Sequence, residues 1–266
     1  MFDKLLIVPA RGGSKGIENK NLSKINNISL VNRSLTHAIQ LSEYSSIILS
    51  TDSYEILKEV SDYFLIDFNF EKENQVNTII PFGRFYLHFR GSDLSDDEAM
   101  ISDVLFSIRS ILRSKQIKSK IWCILQPTSP YRSKLELEEI NEIIKNNYDC
   151  DFSLVSATQV TDIHPARMYE LDKNYFLNGL PIFENFKQLR RQDLPVVYIR
   201  DGGFYVLGDN LVSKKIQFSA QPKAFIRNFP WSINIDSKID LYYSSSVNKL
   251  DTIGDPNEEN LNEFNS

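Results

Sequence analysis

The sequence predicts an α/β protein with a mostly parallel sheet flanked by helices, and two observations carry this. Short apolar runs of strand length alternate with segments of helical periodicity. A glycine-rich stretch directly follows the first apolar run, the place where open α/β sheets bind ligands. With 266 residues, 42% of them hydrophobic, the chain can bury the core of one large domain or of a domain carrying a sizeable insertion.

Leu5–Pro9 reads as the first strand and Ala10–Lys20 as the loop after it. Leu30, Leu35, Ala38, Ile39 and Leu41 recur at helical spacing, and Ser46–Ser50 is the second strand. Ser53 is placed to cap a helix running through Ile56, Leu57, Val60 and Phe64. Leu65–Phe89, rich in Phe and Asn, reads as an irregular interruption. Glu98–Ser114 is amphipathic, with Ser95 and Glu98 spaced as a capping box. Ile121–Gln126 is a central strand, Leu135–Lys145 a helix and Phe152–Ala157 a strand. From Thr158 to Pro195 the rhythm breaks into Pro, Asn, aromatic and charged residues, as in an inserted arm. Phe204–Leu207 and Ala224–Ile226 resume as strands and Ser237–Leu250 as a helix. Residues 1–254 are thus read as one domain interrupted at about 158–195, and the Asn/Glu-rich 255–266 as a tail.

Composition excludes some partners. Net charge is −5 with no block of Lys and Arg, whereas duplex binding needs a basic stripe to replace counterions, so no nucleic-acid partner is expected. No apolar run approaches the roughly 20 residues of a membrane span, so no membrane partner is expected either. Met1–Pro9 lacks the basic region and cleavage site of a signal peptide and reads as a buried strand. Cys123 and Cys150 form no CxxC pair, and reduced core thiols in a cytoplasmic protein are the expectation.

The strongest local signal is Pro9-Ala10-Arg11-Gly12-Gly13-Ser14-Lys15-Gly16. Glycines let backbone N–H groups approach phosphate oxygens, Arg11 and Lys15 add positive charge, and Lys20 and Asn21 can fold back on the same ligand. Neither GxxxxGK[ST] nor GxGxxG occurs, so this is not a Walker A loop or a dinucleotide fingerprint.

The stretch Pro9–Leu22, PARGGSKGIENKNL, resembles the N-terminal signature of acylneuraminate cytidylyltransferases. Further resemblances follow in order: Ser50-Thr51-Asp52, Leu125–Arg132 (LQPTSPYR), Arg191–Pro195 (RQDLP), Asp201–Tyr205 (DGGFY) and Ile235–Leu241 (IDSKIDL). The resemblance spans about Leu5 to Leu241. It implies a Rossmann-like nucleotidyltransferase fold with an inserted dimerisation element, and hence a homodimer. It also implies transfer of CMP from CTP to an acidic nine-carbon 2-keto sugar with release of pyrophosphate. Arg11, Ser14, Lys15, Lys20 and Asn21 would hold the triphosphate. Arg90 and Gln126 to Ser129, Thr128 among them, would line the cytidine side. Arg191, Tyr198, Asp201, Gly202 and Tyr205 would face the sugar acid, and Asp236 and Asn234 would hold Mg²⁺. Within that set Arg11, Lys15, Lys20 and Asp236 are the catalytic candidates. A CMP-Kdo-type cytidylyltransferase and a non-catalytic nucleotide- or sugar-binding homologue are the alternatives.

Two positions depart from the family pattern. Asn234 stands where the family's Asp-x-Asp metal site has its first aspartate, and Asp201 where the family has Asn. Other polar residues are read as structural: Asp93, Asp96, Asp97 and Glu98 as acids favouring a helix N-terminus, His164 as a loop residue and Asp240 as a helix-surface residue. His37 and His88 show no partner pattern. Asp52 reads equally as a helix cap or a site residue, and the aromatics from Tyr63 to Phe89 as packing.

Overall fold

Eight strands form one twisted sheet in the order β12-β8-β11-β7-β1-β4-β6-β5 in the computed structural model. It describes residues 4–13, 16–41, 45–69, 76–96, 98–146, 149–160, 163–180, 186, 189–228 and 232–247. The strands are β1 (Lys4–Pro9), β4 (Ser45–Thr51), β5 (Thr78–Phe82), β6 (Phe85–Phe89), β7 (Ile121–Ile124), β8 (Ser153–Gln159), β11 (Tyr198–Gly208) and β12 (Lys223–Arg227). Two short antiparallel pairs stand outside it: β2 (Lys24–Ile25) with β3 (Ile28–Ser29), and β9 (Tyr169–Leu171) with β10 (Leu177–Gly179). The helices are α1 (Leu30–Gln40), α2 (Tyr54–Phe64), α3 (Ile101–Ser114), α4 (Lys134–Asn146), α5 (Asp209–Ser213) and α6 (Lys238–Val247).

β1, β4, β6 and β7 run parallel, so their carboxyl ends lie along one edge. β11 enters antiparallel between β7 and β8, which brings the start of its buried stretch to that same edge. Its register shifts between Arg200 and Tyr205, and Gly202 takes a φ of +75° there, a conformation that glycine adopts without penalty. The sheet separates two apolar layers. Leu6, Val8, Ile47, Leu49 and Phe204 face α1, α2 and α4, whereas Leu5, Ile7, Ile48, Trp122 and Tyr205 face α3 and α5.

Local chemistry explains most element boundaries. Ser53 caps α2 by accepting from the Ile56 amide at 3.3 Å, as the sequence suggests. The Ser95–Glu98 capping box does not form. α3 begins at Ile101, Ser95 Oγ donates to the Gly91 carbonyl, and Asp96 Oδ1 accepts from the Glu98 and Ala99 amides. A reciprocal box stands instead at α4, between Ser133 and Glu136. The stretch read as irregular contains the β5–β6 hairpin. Its Phe82 and Phe85 meet Phe68 and Phe64 edge to face, so the aromatics there pack the core. Between 158 and 195 the chain makes the exposed β9–β10 hairpin and two 3₁₀ turns. α6 is described as far as Val247; residues 248–250, to which the sequence suggested that it runs, and the expected tail at 255–266 lie outside the described residues. Among the described residues, no helix is long and apolar enough to cross a membrane.

His37 and His88, both fully buried, have partners the sequence did not suggest. His88 Nδ1 lies 2.9 Å from Ser50 Oγ, and His37 Nδ1 lies 3.2 Å from Arg132 Nη1. Burial, reinforced by Arg90, pushes the His88 pKa down to about 3. Burial, then Arg132, holds His37 well below the ordinary histidine value. Both are therefore neutral in the folded protein, while the unfolded chain binds protons at them below about pH 6.5. Their contribution to stability is present above that pH and is lost as pH falls. Urea unfolding should show stability declining from pH 6.5 to 5 by on the order of 1.4 kcal/mol per pH unit per histidine. A flat profile across that window would contradict the burial of neutral rings.

Candidate functional site

The carboxyl-end edge opens into a cleft of ≈ 240 Å³ lined by Pro9, Arg11, Lys20, Asn21, Arg90, Ala99, Ile101, Val104, Gln126, Pro127 and Thr128. Among the described residues of this lining, three side chains are cationic and none is a carboxylate. Arg90, 6% exposed, continues from β6 and spends Nη1 on the Leu94 carbonyl at 3.2 Å. Its Nε and Nη2 are buried with no hydrogen-bond partner among the described residues. Burial, opposed by Asp52 and assisted by Arg11, lowers its pKa to about 10, which still leaves a full charge at neutral pH. Two unmatched charged donors beside a cleft suit an acceptor-rich ligand.

The glycine loop is braced from behind. The Gly12 amide donates to Asp52 Oδ1 at 2.8 Å, and Asn21 Nδ2 donates to the Arg11 carbonyl at 2.8 Å. Arg11 itself reaches the Asp96 carbonyl at 3.1 Å. Asp52 therefore anchors the loop and leaves the capping of α2 to Ser53. Ser14 and Lys15, expected to hold triphosphate, lie outside the described residues, as does Asp97.

Across the cleft, Gln126–Arg132 is fixed by a buried polar hub. Arg132, 1% exposed, donates from Nε and Nη2 to the Gly203 carbonyl, from Nη2 to the Gln126 carbonyl at 2.9 Å, and meets His37 through Nη1. Arg227, also 1% exposed, joins Glu136 at 3.0 Å, Asp201 at 3.1 Å and the Tyr131 carbonyl. Neither arginine was assigned a role from sequence. The signal available was an arginine closing the LQPTSPYR stretch, which reads as a surface charge until the fold buries it.

The structure brings Arg11, Lys20, Asn21, Arg90, Gln126 and Thr128 together, joins Asp236 and Asn234 to Lys20, seats Gly202 beside Gln126, and turns Ser129, Arg191, Tyr198, Asp201 and Tyr205 to other partners. Ser129 is fully buried and donates from Oγ to the Asp201 carbonyl at 3.2 Å, so it ties two segments together behind the cleft. Tyr205, expected to face the sugar acid, packs into the α3-side layer against Phe218. Strand alternation turns it away from the face that Phe204 occupies. Arg191 lines a second cleft of ≈ 330 Å³ with Gln159, His164 and Arg167, and Tyr198 stands exposed at the start of β11. His164 is a loop residue there, accepting the Ala166 amide on Nδ1. Asp240 caps α6, its Oδ2 accepting from the Asp236 and Ser237 amides.

A family model described as cytidylyltransferase matches residues 5–246. The chain belongs to that family. Among curated relatives, the N-acylneuraminate cytidylyltransferase of Streptococcus agalactiae serotype III (strain NEM316) is 25% identical over 243 residues, 90% of this chain and 52% of the relative. The pseudaminic acid cytidylyltransferase of Campylobacter jejuni subsp. jejuni serotype O:2 (strain ATCC 700819 / NCTC 11168) is 28% identical over 250 residues, 92% of this chain and 96% of the relative. The chain spans about half the length of the Streptococcus relatives. A solved CMP:2-keto-3-deoxy-manno-octonic acid synthetase complexed with CTP superposes with a TM-score of 0.58 at 12% identity, covering 93% of this chain and 99% of the other, and so shares the fold.

Both departures from the family pattern have a structural account. Asn234 donates from Nδ2 to Asp236 Oδ2 at 2.8 Å, and Lys20 holds Asp236 Oδ1 at 3.0 Å. Both oxygens of that carboxylate are engaged, and no group of three or more His, Cys, Asp or Glu residues that could hold a metal occurs among the described residues. The strand end does not fit the protein-held magnesium site expected of Asp236 and Asn234. Asp201, 5% exposed, points away from the cleft to Ser156 Oγ, the Gly203 amide and Arg227. Its charge belongs to the interior, where it balances one of two adjacent guanidiniums, and not to sugar recognition. Removing Asp201 leaves Arg227 with Glu136 as its remaining carboxylate and takes the acceptor from the buried Ser156 hydroxyl and Gly203 amide, at about 1–3 kcal/mol. Asp201→Ala should lower unfolding free energy by that amount in urea titrations. A loss under about 1 kcal/mol would show that the pair is not buried as described.

Proposed function

We propose that this chain transfers CMP from CTP to an acidic nine-carbon 2-keto sugar of the sialic or pseudaminic type, releasing pyrophosphate. Family membership supports cytidylyl transfer, and the two relatives named above support a nonulosonic acid as acceptor. The observation that carries the reading is the cleft itself. It places Arg11, Lys20 and Arg90 at the carboxyl-end edge of parallel strands with no carboxylate among the described lining residues, which favours a polyanion. An acidic protein that gathers its cations at one strand-end cleft has built a local field against its net charge.

In this reading the sugar's anomeric hydroxyl oxygen forms a bond to the α-phosphorus of CTP. The bond from that phosphorus to the bridging oxygen breaks, pyrophosphate departs, and the hydroxyl proton is lost. The chain contributes position and charge. Arg11 and Lys20 bear on the phosphates, and Arg90 offers its unmatched N–H donors to the cytidine or the adjoining phosphate. A magnesium ion would neutralise phosphate charge and would be held by the triphosphate's own oxygens, since both oxygens of Asp236 are engaged by Lys20 and Asn234. The exposed apolar side chains between 158 and 195, Tyr169, Leu171, Tyr175, Phe176 and Leu177, support the proposed use of that segment as a homodimer surface in a cytoplasmic protein.

The test is pyrophosphate release from CTP and Mg²⁺ with sialic, legionaminic, pseudaminic and Kdo acids, each repeated with UTP. Release with a nine-carbon acid and CTP, reduced at least tenfold with UTP and in Arg11→Ala, is the expected outcome. A preference for Kdo would move the chain to the eight-carbon class. Nucleotide binding without release in every pairing would make it a non-catalytic homologue, a reading that the engaged Asp236 also suits.

A further inference from the structure

The strand-end trio of Lys20, Asp236 and Asn234 forms a connected chain of donors and acceptors at the rim of the cleft. Lys20 Nζ donates to Asp236 Oδ1 at 3.0 Å, and Asn234 Nδ2 donates to Asp236 Oδ2 at 2.8 Å. A carboxylate oxygen facing an amide requires the NH₂ end, so this contact fixes which way the Asn234 amide points. Asn234 Oδ1 is then turned inward and buried, without a hydrogen-bond partner among the described residues. It lies 3.6 Å from where a Cβ on Gly202 would stand, beside Gln126 Oε1 at 2.9 Å from the same point. The amide thus presents protons, not lone pairs, on the side where a cation would sit.

Charge counting points the same way. The trio holds one carboxylate and one ammonium, so its formal charge is zero before any ligand arrives. A dication placed on Asp236 would meet the Lys20 ammonium as its neighbour, and the other carboxylate at this strand end, Asp240, already spends Oδ2 on the Asp236 and Ser237 amides and the Ser237 hydroxyl. Magnesium also gives up its hydration water reluctantly and needs compensating negative oxygens to do so. CTP supplies those oxygens itself.

We infer that Asn234 has converted this strand end from an ion-holding pair into a fixed clamp in which Asp236 serves as a positioning residue, aiming Lys20 at the triphosphate, and that the chain takes up its divalent cation only together with the nucleotide. The clamp explains why an amide can stand at this position without loss of order. Asn234 contributes the proton that a second carboxylate would lack, and Lys20 contributes the charge. The inference rests on the nucleotide reading of the cleft, but its primary test does not require turnover.

The experiment is Mn²⁺ binding by electron paramagnetic resonance, in the absence and presence of CTP, on wild type, Asn234→Asp and Asp236→Asn. Without CTP, wild type and Asp236→Asn should bind no Mn²⁺ at sub-millimolar concentration, whereas Asn234→Asp should acquire one ion. With CTP all three should bind Mn²⁺, and Asp236→Asn should need several-fold more CTP to reach half-saturation because Lys20 is no longer held. Mn²⁺ bound by the nucleotide-free wild type, whichever residue holds it, overturns the inference. Failure of Asn234→Asp to gain an ion also overturns it, since Asn234 would then not be what excludes the metal. Absence of CTP binding to the wild type overturns the nucleotide reading, and the inference with it.

Discussion

The guanidinium of Arg132 is the joint on which the cleft depends. It enters the interior between α1, the Gln126 carbonyl and the Gly203 carbonyl, and so fastens the segment after β7 to the start of the buried part of β11. Those two strands run in opposite directions, and no crossover helix holds their ends in register at the ligand edge. An arginine suits the position because its planar fork serves three acceptors in fixed directions while remaining charged. Its burial lowers its pKa to about 9, with Arg227 contributing, and the neutral ring of His37 completes its coordination. Hydrogen bonds to a charged group are worth about 1.5–3 kcal/mol each, so the hub holds loop geometry more strongly than exposed ion pairs could.

Around that joint the molecule sorts its cations by use. Arg132 and Arg227 are spent internally on carbonyls and carboxylates, and Asp201 and Glu136 balance them. Arg11, Lys20 and Arg90 stand at the cleft. Arg90 belongs partly to both sets, being buried like the first and incompletely matched like the second. Asp52 and Asn21 brace the glycine loop, Asp52 through the Gly12 amide from outside the cleft lining and Asn21 through the Arg11 carbonyl from within it. The division follows from burial: a desolvated guanidinium must be paired unless a ligand is to pair it.

The parallel half of the sheet was legible because buried strands read as continuous apolar runs and their covering helices as amphipathic stripes. The glycine loop and Lys20 were read from basic residues beside glycines after the first strand, and Arg90 and Gln126 from the family resemblance; the fold lines one cleft with Arg11, Lys20, Arg90 and Gln126. The β5–β6 hairpin was not legible, since Phe and Asn clusters carry no clean period and edge strands are recognised by partners that periodicity does not reveal. The capping box was assigned to Ser95 because spacing alone cannot say which helix start a Ser and Glu will serve. Asp201 and Tyr205 were given to the substrate because a motif names positions without naming directions. A register shift at Gly202 decides that one side chain turns to Arg227 and the other to Phe218. Asn234 was recognised as a departure, but its consequence needed the 2.8 Å contact to Asp236.

A buried arginine sets the geometry of a cleft that it does not line and that is proposed to take the nucleotide. Calorimetric titration of CTP into Arg132→Lys, alongside circular dichroism and a urea melt of the same variant, tests it most directly. A lysine keeps the charge but cannot serve the Gln126 carbonyl, the Gly203 carbonyl and His37 together. The account expects a cooperatively folded variant whose CTP affinity falls at least tenfold, about 1.4 kcal/mol. Unchanged CTP affinity in a folded Arg132→Lys would contradict it.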